Sequence, residues 1–360
     1  MIKLPLDNIK EFLGYASLIP SDKLDLLPIL KYFKVEIIFN ECTITKCNGR
    51  DFVSYTFSCK EDDYEFLLHE NELKTFCSVS NEQFIFIDIS VKTTLKDTKN
   101  YKQSYANELY DVVDFPKINS YNDEYSIRLS KSLLNLISIA RNYCGTDDLD
   151  SRYSSVYINK EHIYSTNGNC LFTNKHLEEI SSDIVITKRE SEVISKLGFV
   201  DYMQSESQNI FKFDNIIFGF TKIDLVASLP YTLFIEKTKK KNNFKVNVVD
   251  LVKFCQAVLS SSSSSTGDKE IKWLNSLCTV DNNNANLLFR LDERKEISID
   301  SPAVLEGLAF NFRFNQKMCY PIFKSLPYSE IYVSNEEECN AVAIYNKNDP
   351  NFIGYIFKIH

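Results

Sequence analysis

Helical periodicity recurs at a fixed interval along this 360-residue chain, and that interval constrains the fold more than any single motif. Apolar residues at helical spacing mark an amphipathic helix over residues 7–18, through Ile9, Phe12, Leu13 and Ala16. The signal returns after Ser130, through Leu133, Leu136, Ile137, Ala140 and Tyr143, and after Asn247, through Val248, Leu251, Val252, Cys255 and Leu259. A second series of helices begins near Glu70, Thr187 and Asn315. Both series repeat at about 120 residues, with strand-like runs between them. Helix, strands, helix, strands, met three times, predicts an α+β chain of three repeated domains, 1–122, 123–240 and 241–360.

Local signals fill in this frame. Asp7 is the expected cap of the first helix, and Thr187 with Glu190 has the spacing of a capping box. Alternating runs predict strands over Phe33–Phe39, Phe52–Phe57, Gln83–Ser90, Val91–Leu95, Ile210–Phe213 and Ile216–Phe220. Further strands are expected near Leu287–Leu291, Ile297–Ser301, Glu330–Ser334, Ala341–Tyr345 and Gly354–Ile359. Pro321 predicts a kink or break in the last helix. Ser260–Ser265, followed by Thr266-Gly267-Asp268, predicts a mobile loop, and Lys237–Asn243 has the composition of a linker. Asn167-Gly168, between two short strands, reads as a turn.

Composition narrows the function. Hydrophobic residues at 44% and charged residues at 25% describe a globular protein, and Phe and Tyr, at 26 and 20, favour sheet. The net charge of -8 argues against a uniformly basic nucleic-acid coat, though not against one basic face. Ten cysteines form no C-x-x-C pair and no zinc-finger spacing with the four histidines, so no metal or cofactor is expected and the thiols should be free in a reducing compartment. No run approaches the length of a bilayer span, which gives the expectation of a soluble, cytoplasmic protein. Phosphate-loop, dinucleotide and H-E-x-x-H patterns are missing, and the pairs Asp62-Asp63 and Asp147-Asp148 read as solvated loop charges. The expectation is a protein that is not an enzyme.

Charge is unevenly spread over the helices. The second repeat offers Lys131, Arg141, Lys188, Arg189 and Lys196 against Glu190 and Glu192, and the third offers Lys253, Lys317 and Lys324 against Asp250. In the first, Lys10 and Lys74 face Asp7, Glu11, Glu70 and Glu72. Basic helix faces on an acidic chain suit contact with phosphate backbones, without base reading.

Five short motifs, in order, carry a family resemblance: Leu27-Pro28-Ile29-Leu30, Asp114-Phe115-Pro116, Ser165-Thr166-Asn167-Gly168-Asn169-Cys170-Leu171, Leu229-Pro230 and Leu308-Ala309-Phe310-Asn311. On the threefold repeat, they resemble the bacterial-type DNA polymerase sliding clamp, the beta subunit or processivity factor. The third motif is similar to that family's Ala-Thr-Asp-Gly-His-Arg-Leu. The resemblance implies three clamp domains with helices lining the hole of a ring, antiparallel sheets outside, and two subunits joined head to tail. It implies a partner-peptide cleft at Tyr153, Thr166, Gly168, Asn169, Cys170, Leu171, Phe357 and Ile359, used by polymerase and clamp loader. Lys23, Lys131, Arg141, Lys188, Arg189, Lys196, Lys253, Lys317 and Lys324 become DNA-facing candidates, and Tyr105, Asn107, Val258 and Leu259 dimer-interface candidates. Three departures stand out: Asn169-Cys170 replaces His-Arg, Asn107 replaces an apolar residue, and Leu24 stands at an aligned basic position beside Lys23. The implied function is a ring that encircles duplex DNA, without sequence preference, and tethers a polymerase. The alternative is a clamp-like protein-interaction module that is not loaded as a ring.

Overall fold

The computed structural model describes residues 1–20, 27–99, 101–107, 110–118, 126–145, 151–205, 207–223, 231–263, 275–280, 284–292 and 295–358. Lys23, Leu24, Asp147, Asp148, Leu229, Pro230 and Ile359 lie outside these residues. The chain divides into two compact units, Met1–Leu129 with Phe199–Ile223, and Ser130–Gly198 with Asp224–His360.

Seven α-helices occur among the described residues: α1 (Leu6–Ala16), α2 (Glu70–Val79), α3 (Lys131–Ala140), α4 (Lys188–Ile194), α5 (Thr232–Lys237), α6 (Val248–Ser263) and α7 (Gln316–Ser325). Apart from the short α5, each starts within one residue of the position given by periodicity. Caps explain the sharp starts. Ser130 accepts from the Leu133 amide at 3.3 Å, Asn315 from Met318 at 3.1 Å, and Thr187 and Glu190 form a reciprocal box. Asp7 does not cap α1. Pro5 holds that position, and Asp7 lies inside the first turn, where its charge meets the positive end of the helix dipole.

Two further expectations are corrected. α7 runs unbroken through Pro321, although the ring removes the bond to the Lys317 carbonyl. Buried Cys319, Ile322 and Phe323 anchor the helix on both sides of that gap. Ser260–Ser263 complete α6 instead of forming a loop, because the buried run of Leu251, Phe254, Cys255 and Val258 extends the helix into them. Ser264, Ser265 and the residues to Asp268 lie outside the described residues. The Lys237–Asn243 stretch is held in place, since the Lys239 and Lys240 amides donate to buried Glu336 at 2.7 and 2.9 Å.

Every strand pairing described is antiparallel, and the architecture is mixed α+β. The first unit holds a four-stranded sheet, in the order Ile2–Pro5, Phe84–Ile89, Lys92–Lys96, Lys102–Ala106. Its larger, eight-stranded sheet runs Tyr64–His69, Tyr32–Ile38, Glu41–Cys47, Phe52–Ser58, Ile216–Thr221, Gln208–Phe213, Val200–Gln204, Ile127–Leu129. The second unit has a nine-stranded sheet, Ile184–Thr187, Ser155–Ile158, His162–Thr166, Cys170–Lys175, Asp349–Phe357, Ala341–Asn346, Glu330–Glu336, Asn243–Asn247, Val304–Glu306. Its four-stranded sheet runs Lys295–Pro302, Asn284–Asp292, Asn275–Val280, Asn311–Asn315.

Both large sheets arise by joining two sets of strands distant in sequence. In the first unit, Phe52–Ser58 pairs with Ile216–Thr221, placing Tyr55 opposite Ile216. In the second, Cys170–Lys175 pairs with Asp349–Phe357, placing Leu171 opposite Tyr355. Gly354 is required at this second junction. A Cβ there would lie 2.4 Å from the hydroxyl oxygen of fully buried Tyr143.

The cores lie between helices and sheets. In the first unit Phe12 of α1 meets Phe33 edge to face at 5.0 Å, and both are fully buried. Burying each such ring contributes roughly 1.5–3 kcal/mol. In the second unit α3 packs on α4 and α7, and α6 on α7 and strand Lys295–Pro302.

Candidate partner and nucleic-acid interfaces

The turn between strands His162–Thr166 and Cys170–Lys175 is held by its own side chains. Asn167 Oδ1 accepts from the Asn169 and Cys170 amides at 2.8 and 2.9 Å. Thr166 Oγ1 accepts from the Gly168 amide at 3.0 Å and donates to the Cys170 carbonyl. Gly168 has φ of 83°, a left-handed conformation that costs glycine little. The Tyr153 ring lies over it, 3.8 Å from where a Cβ would stand. The Asn169 carbonyl accepts from the Phe357 amide at 2.9 Å, which ties the turn to the last strand.

This corner gathers Tyr153, Thr166, Gly168, Asn169, Leu171 and Phe357 in one unit. Cys170 does not line its surface. It is fully buried, and its thiol lies 3.5 Å from the Tyr143 carbonyl, on the opposite face of the sheet from Leu171. Alternation along the strand makes this unavoidable. Burial pushes the Cys170 thiol up, and that of neighbouring Cys144 to about 12, so neither is a thiolate near neutral pH.

On the face carrying Leu171, a cluster forms with Ala341, Ala343, Ile353 and Tyr355, with Tyr231, Phe234, Cys339 and Phe357 packed against it. Phe234 meets the rings of Phe357 and Tyr355 at 5.3 and 5.8 Å. Tyr231 stacks on Tyr164 at 4.0 Å and accepts from Asn159 Nδ2 at 2.8 Å. Leu233 is 49% exposed beside them. Tyr231, Leu233 and Phe234 were not anticipated. The run Tyr231-Thr232-Leu233-Phe234-Ile235, apolar and just ahead of the lysine-rich stretch, is the signal that could have found them.

The helix faces differ between the units. Lys131, Lys196, Lys253, Lys317 and Lys324 are exposed, and none pairs with a carboxylate among the described residues. Arg141 donates to Ser195 Oγ at 3.1 Å and Lys188 to the Cys144 carbonyl at 3.3 Å, while Arg189 is half-buried. The acids on these helices are largely occupied: Glu190 is buried in its capping box, and Asp250 accepts from Ser301 at 2.8 Å. In the first unit the helix lysines are tied down. Lys10 donates to the Ser80 carbonyl at 2.8 Å, and Lys74 pairs with Glu70 at 2.5 Å.

The remaining candidates sit near sheet edges. Tyr105, on outermost strand Lys102–Ala106, accepts from the His69 amide at 3.2 Å. Asn107 accepts from Thr93 Oγ1 at 2.5 Å and donates to the Ser90 carbonyl at 2.9 Å, so its polar side chain serves its own sheet. Leu259 is half-buried, but Val258 is fully buried in the core beneath α6 and presents no surface to a partner. No helix among the described residues is long and apolar enough to cross a membrane.

No family model matches the sequence, and no curated protein does. Solved structures do match. The DNA polymerase sliding clamp of Bacillus subtilis superimposes with a TM-score of 0.84 at 17% identity, covering 100% of this chain and 98% of that one. The DNA polymerase III subunit beta of Pseudomonas aeruginosa gives 0.85 at 11% identity, covering 100% and 99%. The beta subunit from Thermotoga maritima gives 0.81 at 13%, with the same coverage of 100% and 99%. The fold of this chain, over its whole length, is that of the DNA polymerase sliding clamps.

Proposed function

We propose that this chain is a DNA sliding clamp: two copies close head to tail around duplex DNA and hold a polymerase on it. The reading rests first on the strand junctions. The repeat supplies three equivalent joining strands, Phe52–Ser58, Cys170–Lys175 and Lys295–Pro302, and three receiving strands, Ile216–Thr221, Asp349–Phe357 and Lys102–Ala106. Two pairs are joined within the chain, and Lys295–Pro302 and Lys102–Ala106 are each left at a sheet edge. A second copy completes the third junction, and the same contact made twice closes a ring of six domains. Exposed Lys102 on one edge complements exposed Asp300 on the other, where Glu296 is already paired with Arg290 at 2.8 Å. The domain boundaries in this reading are 1–122, 123–240 and 241–360.

In the closed ring the unpaired lysines of α3, α6 and α7, with Arg141, Lys188 and Lys196, face the phosphates, whereas the guanidinium of Arg189 is buried. Flexible ammonium groups neutralise phosphate without reading bases, so the ring moves along the duplex at little cost. The polymerase and the loader dock short apolar peptide segments against Leu171, Leu233, Phe234 and Phe357. Tethering then works through effective concentration, since a polymerase that lets go of the primer end stays beside it. The protein does no chemistry and works in the cytoplasm.

Sedimentation tests the junction. The chain is expected to run as a dimer at micromolar concentration, and Lys102→Glu is expected to weaken it at least tenfold. A monomer at that concentration, unchanged by DNA, contradicts the ring and favours a protein-interaction module.

A further inference from the structure

We propose that the open edge of strand Tyr64–His69, with the cavity beside it, docks an extended basic segment of a partner protein, which adds to the sheet as a strand and places a Lys or Arg side chain in the cavity. The site lies wholly in the first unit and does not depend on ring closure.

Strand Tyr64–His69 is outermost in the eight-stranded sheet. Its outward direction is fixed by the His69 amide, which points away from the neighbouring strand to donate to the Tyr105 hydroxyl at 3.2 Å. Antiparallel alternation puts the amides of Leu67 and Glu65 on the same edge. Among the described residues, no hydrogen bond meets either amide. The sequence Tyr64-Glu65-Phe66-Leu67-Leu68-His69 contains neither the proline nor the lysine that commonly blunts such an edge, although the turn Val112–Asp114 packs against part of the strand. An edge with free amides is a template for strand addition.

A cavity of about 450 Å³ opens along this edge, with Tyr32, Tyr64, Glu65, Phe66, Tyr110 and Asp111 among its lining. The volume lies within the range of binding pockets. The rings of Tyr64 and Phe66 are 5.8 Å apart, as are those of Tyr32 and Tyr110. Aromatic faces with two carboxylates, and no Lys or Arg in the lining, favour a cation over an anion. The surroundings point the same way. Glu41, Asp62 and Asp63 are exposed nearby, and Lys34 is already shared between Glu65 at 3.1 Å and Glu36 at 3.6 Å. At the strand's entry, the Phe39 amide donates to Asp63 Oδ1 at 2.9 Å. Phe39 is 85% exposed at φ of 51°, which is costly for a bulky residue, and Tyr64 beside it is 48% exposed. The Phe39 ring gives the incoming segment an apolar grip beyond the cavity, next to the Tyr64 ring that lines it.

The test uses the full chain and the capped pentapeptide acetyl-Thr-Val-Arg-Val-Thr-amide, read by calorimetry and by hydrogen exchange of Tyr64–His69. Binding on the order of 100 μM or tighter is expected, with exchange at Glu65 and Leu67 slowed at least tenfold. Replacing the peptide's Arg by Glu, or methylating its alternate backbone amides, should weaken binding tenfold or more. Glu65→Lys should do the same, and as an exposed position it leaves the fold intact. No protection of the strand, or equal binding of the Arg and Glu peptides, overturns the proposal. So does binding of free arginine amide as tight as that of the peptide, because a pocket for a small cation would not need the strand edge.

Discussion

At the junction of Phe52–Ser58 with Ile216–Thr221, the covering segment sinks its aromatic residue into the sheet. Phe115 is 4% exposed and packs with Ile29, Phe52, Met203 and Ile210. At the junction of Cys170–Lys175 with Asp349–Phe357, the covering helix α5 leaves Tyr231 and Phe234 half-buried and Leu233 49% exposed. The difference begins in local sequence. A capping box between Asp111 and Asp114 turns the chain just before Phe115, and Pro116 keeps Phe115 itself extended. Tyr231–Ile235 instead coils into a short helix whose apolar residues cannot all face one sheet. The first junction therefore seals its apolar surface, and the second leaves part of it in contact with water.

The largest expected effect breaks this contrast if it fails. Phe115→Ala should destabilise the first unit by about 3–5 kcal/mol, as deletion of a buried ring does. Phe234→Ala should cost about 1 kcal/mol, because the ring is already half in water. Chemical denaturation of the two variants measures both, and equal losses would mean that the second junction is sealed like the first. Next comes function at the open junction. Leu233→Asp should leave stability within about 0.5 kcal/mol of the parent and shorten the products of the cognate polymerase at least tenfold. Unchanged product length would remove Leu233 from the docking surface.

A parallel contrast between helix faces gives the third prediction. Reversing Lys131, Lys253 and Lys317 to Glu should reduce DNA association and flatten its salt dependence by about 0.9 log units for each phosphate no longer neutralised. Reversing Lys10, which serves the Ser80 carbonyl, should leave the salt slope alone and affect only stability. The smallest effect concerns His162, packed against Tyr231 at 5.5 Å and lowered in pKa by burial and by Lys175. A histidine whose folded pKa is depressed contributes stability that is fully present above its unfolded pKa of about 6.5 and is lost as pH falls from there through its lower folded pKa. The Tyr231 fluorescence environment should therefore loosen between pH 7 and pH 5 in the parent and not in His162→Gln.

How legible each part was in the sequence follows from its periodicity. Helices with one apolar stripe were readable to a residue at their starts, since Ser130, Thr187 and Asn315 combine stripe and cap. Strands Glu41–Cys47, Tyr64–His69, Lys102–Ala106 and Asn275–Val280 were not read. Apart from Tyr64–His69, these strands carry Thr, Lys, Ser and Gln residues supported by cross-strand partners, such as Thr45 with Ser54 at 2.9 Å, that no local window contains. At the corner formed by the Asn167-Gly168 turn and the last strand, the motif gave the turn but not the faces. Cys170 and Val258 point inward because of strand and helix registers that only the fold fixes. Tyr231 and Phe234 reach Leu171 from more than fifty positions away.

The most direct test of the central claim is retention on DNA of closed or open topology. Loaded by its partner complex onto nicked circular plasmid and passed through a sizing column in moderate salt, the protein should travel with the circle. After one cut that linearises the plasmid, it should run off the ends and elute alone. Elution with DNA after the cut, or no retention on the circle, would contradict a closed ring that slides.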